Sequence, residues 1–225
     1  MISSTLLTAS HQRRGRNTSQ SEVAYQVLKE KIVTLALPPA SLLNEVELMA
    51  ELNLGRTPIR EALQRLAYES LVVILPRRGT IVADLNISDL QKISELRLEL
   101  EASSARLAAA RATPEQIAEM EALLIDADEI VRLGDCRQLI RLDVKSHQLL
   151  AQAAHNEFLA ETLERLYTHV LRLWYITLCK VEELPAAIED HRNIVVAVKS
   201  RDGERAAQIM RAHVSGFQEK IRQVL

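Results

Sequence analysis

The sequence is poor in what β-rich and secreted domains depend on. Only 3% of its 225 residues are aromatic, glycine and proline number six each, and there are two cysteines. With so few turn-formers and so much Leu, Ala, Glu and Arg, the chain reads as mainly α-helical. Cys136 and Cys179 lie in helix-like segments without metal or redox spacing. They read as thiols of a reducing compartment, so the cytoplasm is the expected location. No apolar run approaches the roughly 20 residues of a membrane span, and the N-terminus lacks a signal-peptide core. No membrane partner is expected. Tandem repeats are also lacking, as is the HExxH pattern of zinc peptidases.

What is present suits two cores. The chain is 48% hydrophobic, and its length is comfortable for two domains. Residues 1–83 carry 10 Lys+Arg against 7 Asp+Glu (+3), and residues 84–225 carry 18 against 23 (−5), which together make the chain's 28 and 30. A basic front and an acidic rear permit a polyanion-binding N-terminal domain.

Residues 1–18 are polar and end in the basic cluster Arg13, Arg14 and Arg16, which predicts a flexible arm. A domain over 19–84 follows. Ala24, Val27, Leu28, Ile32 and Leu35 form a helical stripe that stops before Pro38-Pro39, and Asn44 is placed to cap a short helix over 45–52. After the turn Asn53-Leu54-Gly55, Thr57 and Pro58 predict a helix start, with Thr57 as cap and Pro58 at the first position. Ile59, Leu63 and Leu66 then face inward, leaving Arg56 and Arg60 outward. Two β-branched runs, Val72–Leu75 and Thr80–Ala83, flank Pro76-Arg77-Arg78-Gly79 as a hairpin. Helix, helix, turn, helix and basic-tipped hairpin is the order of a winged helix-turn-helix, whose second helix-turn-helix element reads the major groove. Arg56 and Arg60 offer planar forks for guanine or phosphate, and Thr57 a phosphate donor. Arg77 and Arg78 could follow the DNA backbone. Surface arginines are common, but two basic elements in this order make a chance pattern a weak explanation.

The remaining residues, 85–225, predict six helices near 88–111, 114–133, 135–154, 157–180, 185–200 and 203–224, packed as an all-α antiparallel bundle. Their apolar stripes are interrupted in a consistent way. Positions 136, 140, 143, 147, 150 and 154 share one helix face and read Cys, Ile, Asp, His, Leu, Ala. The fifth helix gives Leu184, Ile188, His191, Val195, Val198, and the sixth Ala206, Met210, His213, Phe217, Ile221. A buried carboxylate costs several kcal/mol unless compensated. A single such histidine is ordinarily a satisfied core residue, but Asp143, His147, His191 and His213 aimed at one interior favour a divalent transition ion. Three imidazoles and a carboxylate suit Zn or Ni, and the affinity order leaves the choice open.

Two resemblances cover nearly the whole chain beyond the arm. LGRTPIREALQRLAYESLV, with PRRGTIVA at the hairpin, resembles the DNA-binding domain of GntR-family transcriptional regulators. That resemblance implies recognition-helix contacts by Arg56, Thr57 and Arg60 and a wing glycine at Gly79. It also exposes a departure, since the family's arginine after the acidic residue opening the second helix is here Val46. The rear half resembles the FCD effector-binding domain of the FadR branch, through DVKSH, EDHRNI and RAHV. This implies Asp143, His147, His191 and His213 as metal ligands, and six helices rather than seven fit the shorter, VanR-like form. Arg97 matches an arginine that family members turn toward an anionic effector; its alternative is a surface ion pair with Glu101. Asn156 matches a family asparagine at a helix start, with capping as its other role. His169 falls near an inner face and could line a pocket or simply pack, whereas His155 and His11 read as surface residues.

The function expected is that of a homodimeric regulator on pseudo-palindromic operator DNA, commonly a repressor, answering to a small organic acid at the metal. The alternatives are a metal-dependent enzyme with an appended DNA-binding domain, and a metal of purely structural role.

Overall fold

In the computed structural model, residues 19–177 and 184–224 are described. The arm and Cys179 lie outside them. The chain divides into two compact units at Asn86/Ile87.

The first unit opens with α1 (Gln20–Val33), capped by Ser19, whose hydroxyl accepts from the Glu22 amide. Strand β1 (Leu42–Leu43) leads into α2 (Glu45–Leu52), capped by Asn44. Asn53 ends α2 in the left-handed region at φ 51°, a conformation asparagine tolerates. Helix α3 (Arg56–Tyr68) follows. It starts two residues earlier than the sequence suggests: Gly55 is the N-cap, Arg56 is the first helical residue, and Thr57 does not cap. Strands β2 (Val72–Leu75) and β3 (Gly79–Val82) pair antiparallel, and β1 joins the far side of β3. The third strand was not visible in the sequence, because two residues after a Pro-Pro turn are too few to alternate. Leu28, Ile32, Ile59, Leu63, Leu66, Leu71 and Val82 fill the core between helices and sheet. Each contributes about 1.5–3 kcal/mol by burial.

The second unit is wholly helical among the described residues: α4 (Ile87–Arg111), α5 (Pro114–Leu123), α6 (Ala127–Leu133), α7 (Cys136–Ala153), α8 (Glu157–Thr177), α9 (Leu184–Lys199) and α10 (Gly203–Val224). Seven helices stand where six were expected, so the helix count does not favour the shorter, VanR-like form. The expected helix over 114–133 is two. Its middle tightens into three-residue hydrogen bonds, from Ile125 to Ala122 and from Ala127 to Leu124. This turn buries Leu124 and Ala127 while Ile125 stays 73% exposed, so packing, not a Gly or Pro, makes the break.

Local chemistry fixes the other ends. Thr113 and Gln116 form a capping box ahead of Pro114. Gly134 ends α6 at φ 65°, and the Asp135 carboxylate then caps α7 by accepting from the Arg137 and Gln138 amides. Helix α10 packs along α4 and α9, while α7 contacts α4, α5 and α8. Gly203 permits the close approach of α10 to α4, since a Cβ there would stand 3.2 Å from the Arg106 carbonyl oxygen.

Candidate metal centre and DNA-reading surface

The stripe that α7 turns inward carries two ionisable groups one turn apart. Ile140, Asp143, His147 and Leu150 are all buried, as are Ile188, His191, Val195 and Val198 on α9 and Ala206, Met210 and His213 on α10. The three helices bring Asp143, His147, His191 and His213 together, each offering a ligand atom, and those atoms all lie within 4.8 Å of one another.

The hydrogen bonds around the four residues say which atoms face inward. His147 Nδ1 meets the Glu101 carboxylate, and His213 Nδ1 lies 3.3 Å from Asp190 Oδ2. A carboxylate only accepts, so in the neutral imidazoles both protons sit on Nδ1 and both Nε2 atoms hold lone pairs. Those Nε2 atoms face each other at 3.3 Å. His191 Nε2 lies 2.9 Å from Asp143 Oδ1, which is also 3.6 Å from His213 Nε2. The Tyr167 hydroxyl donates to Asp143 Oδ2, which leaves Oδ1 as the inward oxygen.

This arrangement fits a cation. The Nε2 lone pairs of His147 and His213 converge with one carboxylate oxygen, to which His191 Nε2 donates in the metal-free cluster and beside which it would ligate once that proton leaves. Partner carboxylates hold the other two imidazoles in the ligating tautomer. The electrostatics of the metal-free cluster agree. Burial pulls the His191 imidazole down to about 4, with the neighbouring His213 adding to the fall. Burial opposes a charge on His213 too, but hydrogen bonds to Asp143 and Asp190 raise it to about 9. Burial raises the Asp143 carboxyl, yet the three histidines hold it well below the usual carboxylate range. Glu101 follows the same pattern: burial opposes its charge, and His147 and Arg97 bring it to about 2. The metal-free cluster thus keeps its buried carboxylates ionised around a His213 whose charge they favour.

Three residues beyond the expected ligands complete it. Glu101, 2% exposed, receives Arg97 Nε at 2.8 Å and Nη2 at 2.5 Å while its other oxygen meets His147. Arg97 is thus in no surface ion pair; it is buried, engaged with Glu101, and its guanidinium lies 4.5 Å over the Tyr167 ring. The second and third are Tyr167 and Asp190. Tyr167 in turn touches Trp174, with ring centroids 5.4 Å apart, and Trp174 packs on Phe217 at 4.3 Å. Counting the α8 stripe Leu159, Leu163, Tyr167, Val170 and Trp174 finds Tyr167, whereas Glu101 lies on an α4 line of Ser94, Arg97, Glu101 and Ser104 that reads as a polar face although all four are buried.

The remaining expected residues fall elsewhere. Asn156 accepts from the Leu159 amide at 3.2 Å and so caps α8. His169 is half-buried on α8. His155 is exposed and pairs with Gln116 at 3.1 Å. Cys136, half-buried, begins α7, and His11 lies outside the described residues.

In the first unit, Arg56, Thr57 and Arg60 are exposed on the first turns of α3, while Ile59, Leu63 and Leu66 anchor the opposite face. At the hairpin tip, the Arg78 amide bonds to the Leu75 carbonyl at 3.1 Å, closing a turn with Pro76 and Arg77 at its centre. Pro76 presets the first central position, and Arg77 takes φ 62° at the second, the pattern of a type II turn. Gly79 follows at φ 96°, which only glycine adopts readily. The tip therefore presents Arg77 and Arg78 to solvent. Val46 is 64% exposed at the first turn of α2.

Comparison with known proteins agrees with both halves. Residues 20–82 match the family described as bacterial regulatory proteins, gntR family, and residues 92–216 match the FCD domain. The chain is 30% identical over 200 residues to the HTH-type transcriptional repressor RspR of Escherichia coli, covering 89% of this chain and 88% of that one. It is 29% identical over 208 residues to the regulator YdhC of Bacillus subtilis, covering 89% and 90%. The solved structure of E. coli McbR superposes with a TM-score of 0.82 at 24% identity, covering 91% of this chain and 98% of that one, and so supports the fold. Among the described residues no helix is long and apolar enough to cross a membrane. The named relatives are regulators, which sets aside the reading of an enzyme with an appended DNA-binding domain. The chain belongs to the GntR family of bacterial DNA-binding transcriptional regulators, with an FCD domain as its rear half.

Proposed function

We propose that this regulator senses a small organic acid at a divalent metal held by Asp143, His147, His191 and His213, and that the occupied site alters its grip on operator DNA. The single observation that carries this reading is the convergence of three imidazoles and one carboxylate oxygen, with Glu101, Asp190 and Tyr167 fixing their orientation. Zn or Ni suits such a donor set. The metal supplies a positive centre on which a carboxylate can complete the coordination shell. Arg97 adds a second buried positive charge beside Tyr167, and we assign His169 and Asn156, the cap of α8, to the effector-binding residues on family resemblance alone. The protein works in the cytoplasm as a homodimer on a pseudo-palindromic operator. Each subunit presents Arg56, Thr57 and Arg60 to one half-site, with Arg77, Arg78 and Gly79 forming the wing. RspR is named a repressor, and repression relieved by the acid is the sign we assign here.

A thermal-shift screen of small carboxylates, run with and without chelator, tests this reading. Each hit is then tested for its effect on binding to duplexes selected by the protein from a random pool. A hit that stabilises only the metal-loaded protein and changes DNA affinity is the expected result. Stabilisation that ignores the chelator, or leaves DNA binding unchanged, overturns it.

A further inference from the structure

The first turn of α2 carries Glu45 and Glu47 and no basic residue, although this is the part of a helix-turn-helix that borders the DNA backbone. Two carboxylates there repel phosphate. Glu47 has a local task, accepting from Asn44 Nδ2 at 2.9 Å. Glu45 does not act within its own helix: its Oε2 accepts from Nε of Arg60, on α3, at 3.0 Å. The Arg60 side chain is 57% exposed even so.

We infer that Glu45 is a specificity-determining residue that positions Arg60 to read guanine. The inference rests on the reading that Arg60 contacts DNA. A guanidinium has five donors, and Nε–H is the one nearest the chain. With that donor held by Glu45, the plane is fixed and the two terminal nitrogens form an outward fork. Such a fork matches the O6 and N7 acceptors of guanine. An unanchored arginine at a helix start has a second option, a backbone phosphate. The Glu45 charge disfavours that option, because it repels a phosphate drawn to Arg60 but not a neutral base edge. Val46 reinforces the point: exposed and uncharged, it adds no phosphate contact of its own.

Selection from random duplexes with the full chain tests this, using wild type, Arg60→Ala, Glu45→Ala, Glu45→Gln and the Arg60→Ala/Glu45→Ala double variant. Wild type is expected to select a guanine at one position of each half-site. Arg60→Ala lowers that preference about tenfold. Glu45→Ala lowers it at the same position by about fivefold, while affinity for random DNA rises because a repelling charge is gone. Glu45→Gln keeps an acceptor for Nε and restores much of the preference. The double variant loses no more base preference than Arg60→Ala alone. A Glu45→Ala motif identical to wild type overturns the inference, as does a loss at a different base or a further loss in the double variant. An unchanged Arg60→Ala motif overturns the reading of Arg60 itself, and the inference with it.

Discussion

Nε2 of His147 and Nε2 of His213 face each other across 3.3 Å, while Glu101 and Asp190 hold their Nδ1 atoms from behind. Two acceptors pointed at one another in a dry interior are unfavourable unless a proton or a cation lies between them. His213, raised to about 9 against the cost of burial by its hydrogen bonds to Asp143 and Asp190, can carry such a proton in the metal-free cluster. A divalent ion would serve it for all four ligands together, so removing that ion should have structural consequences.

Stripping metal with a strong chelator is expected to lower the melting temperature of the FCD domain by several degrees. Re-adding Zn or Ni should restore it in a concentration-dependent way. An ion that binds only the folded state stabilises it by about 2.7 kcal/mol at a hundredfold excess over Kd. Differential scanning calorimetry checks this. The His191→Ala variant supplies the control, because its melting point should no longer respond to metal. A wild-type melting point indifferent to both chelator and metal would refute the site.

Glu101→Gln should weaken metal binding about 10–100-fold, as loss of a partner that orients a ligating histidine typically does. The substitution also leaves the buried Arg97 without its counter-charge. A drop in metal-free stability on the order of 3 kcal/mol is therefore expected beside the affinity effect. Competition against a chromophoric chelator measures the first, and denaturant unfolding the second. Lost stability with unchanged metal affinity would mean that Glu101 serves Arg97 alone.

How much of this was legible in the sequence follows from how local each signal is. Asp143, His147, His191 and His213 could be read because each interrupts a regular apolar stripe, and helical periodicity survives in one dimension. Glu101 could be read as a partner of Arg97 four residues away, but not as buried or as a partner of His147, forty-six residues on. That second fact depends on how α4 packs against α7. The break at Ile125 was invisible for a similar reason: no residue there forbids a helix, and burial of Leu124 and Ala127 decides it. The start of α3 was off by two because Thr-Pro is a strong local signal, whereas Gly55 caps with no side chain at all.

Tyr167→Phe removes the donor to Asp143 Oδ2 while keeping the ring that Arg97 and Trp174 pack against. A buried carboxylate oxygen losing its partner costs about 1–3 kcal/mol. The freed oxygen also lets Asp143 rotate. Metal affinity is expected to fall less than for loss of a ligand such as His147, and the unfolding midpoint to drop in chelator as well as in metal. Calorimetry in both conditions separates the two effects. A midpoint that moves only with metal present would show that the hydrogen bond forms only in the loaded state.

On the DNA side, base-reading and phosphate-holding arginines should separate by their response to salt. Arg56→Ala is expected to cost about 1–3 kcal/mol on selected operator and much less on random duplex. Arg77→Ala and Arg78→Ala should weaken binding to both, and each should lower the slope of log affinity against log salt by about one. Fluorescence anisotropy over a range of salt concentrations gives both quantities. Sequence-dependent losses from the wing variants would mean that the hairpin tip reads base edges.

The wing turn also allows stability and DNA binding to be moved in opposite directions. Arg77 stands at φ 62° and Gly79 at φ 96°, both in a region that costs an ordinary side chain about 1–2 kcal/mol. Arg77→Gly removes the strain along with the charge. It should keep or slightly raise the unfolding midpoint while weakening DNA binding. Gly79→Val does the reverse locally: it adds strain, and its Cβ would stand 3.4 Å from Leu42 Cδ1 on the neighbouring strand. A stability loss of about 1–3 kcal/mol is expected, together with weaker DNA binding even though both arginines are intact. If Gly79→Val left DNA affinity unchanged, Arg77 and Arg78 would not need the turn's shape to reach the backbone, and their contribution would be long-range charge alone.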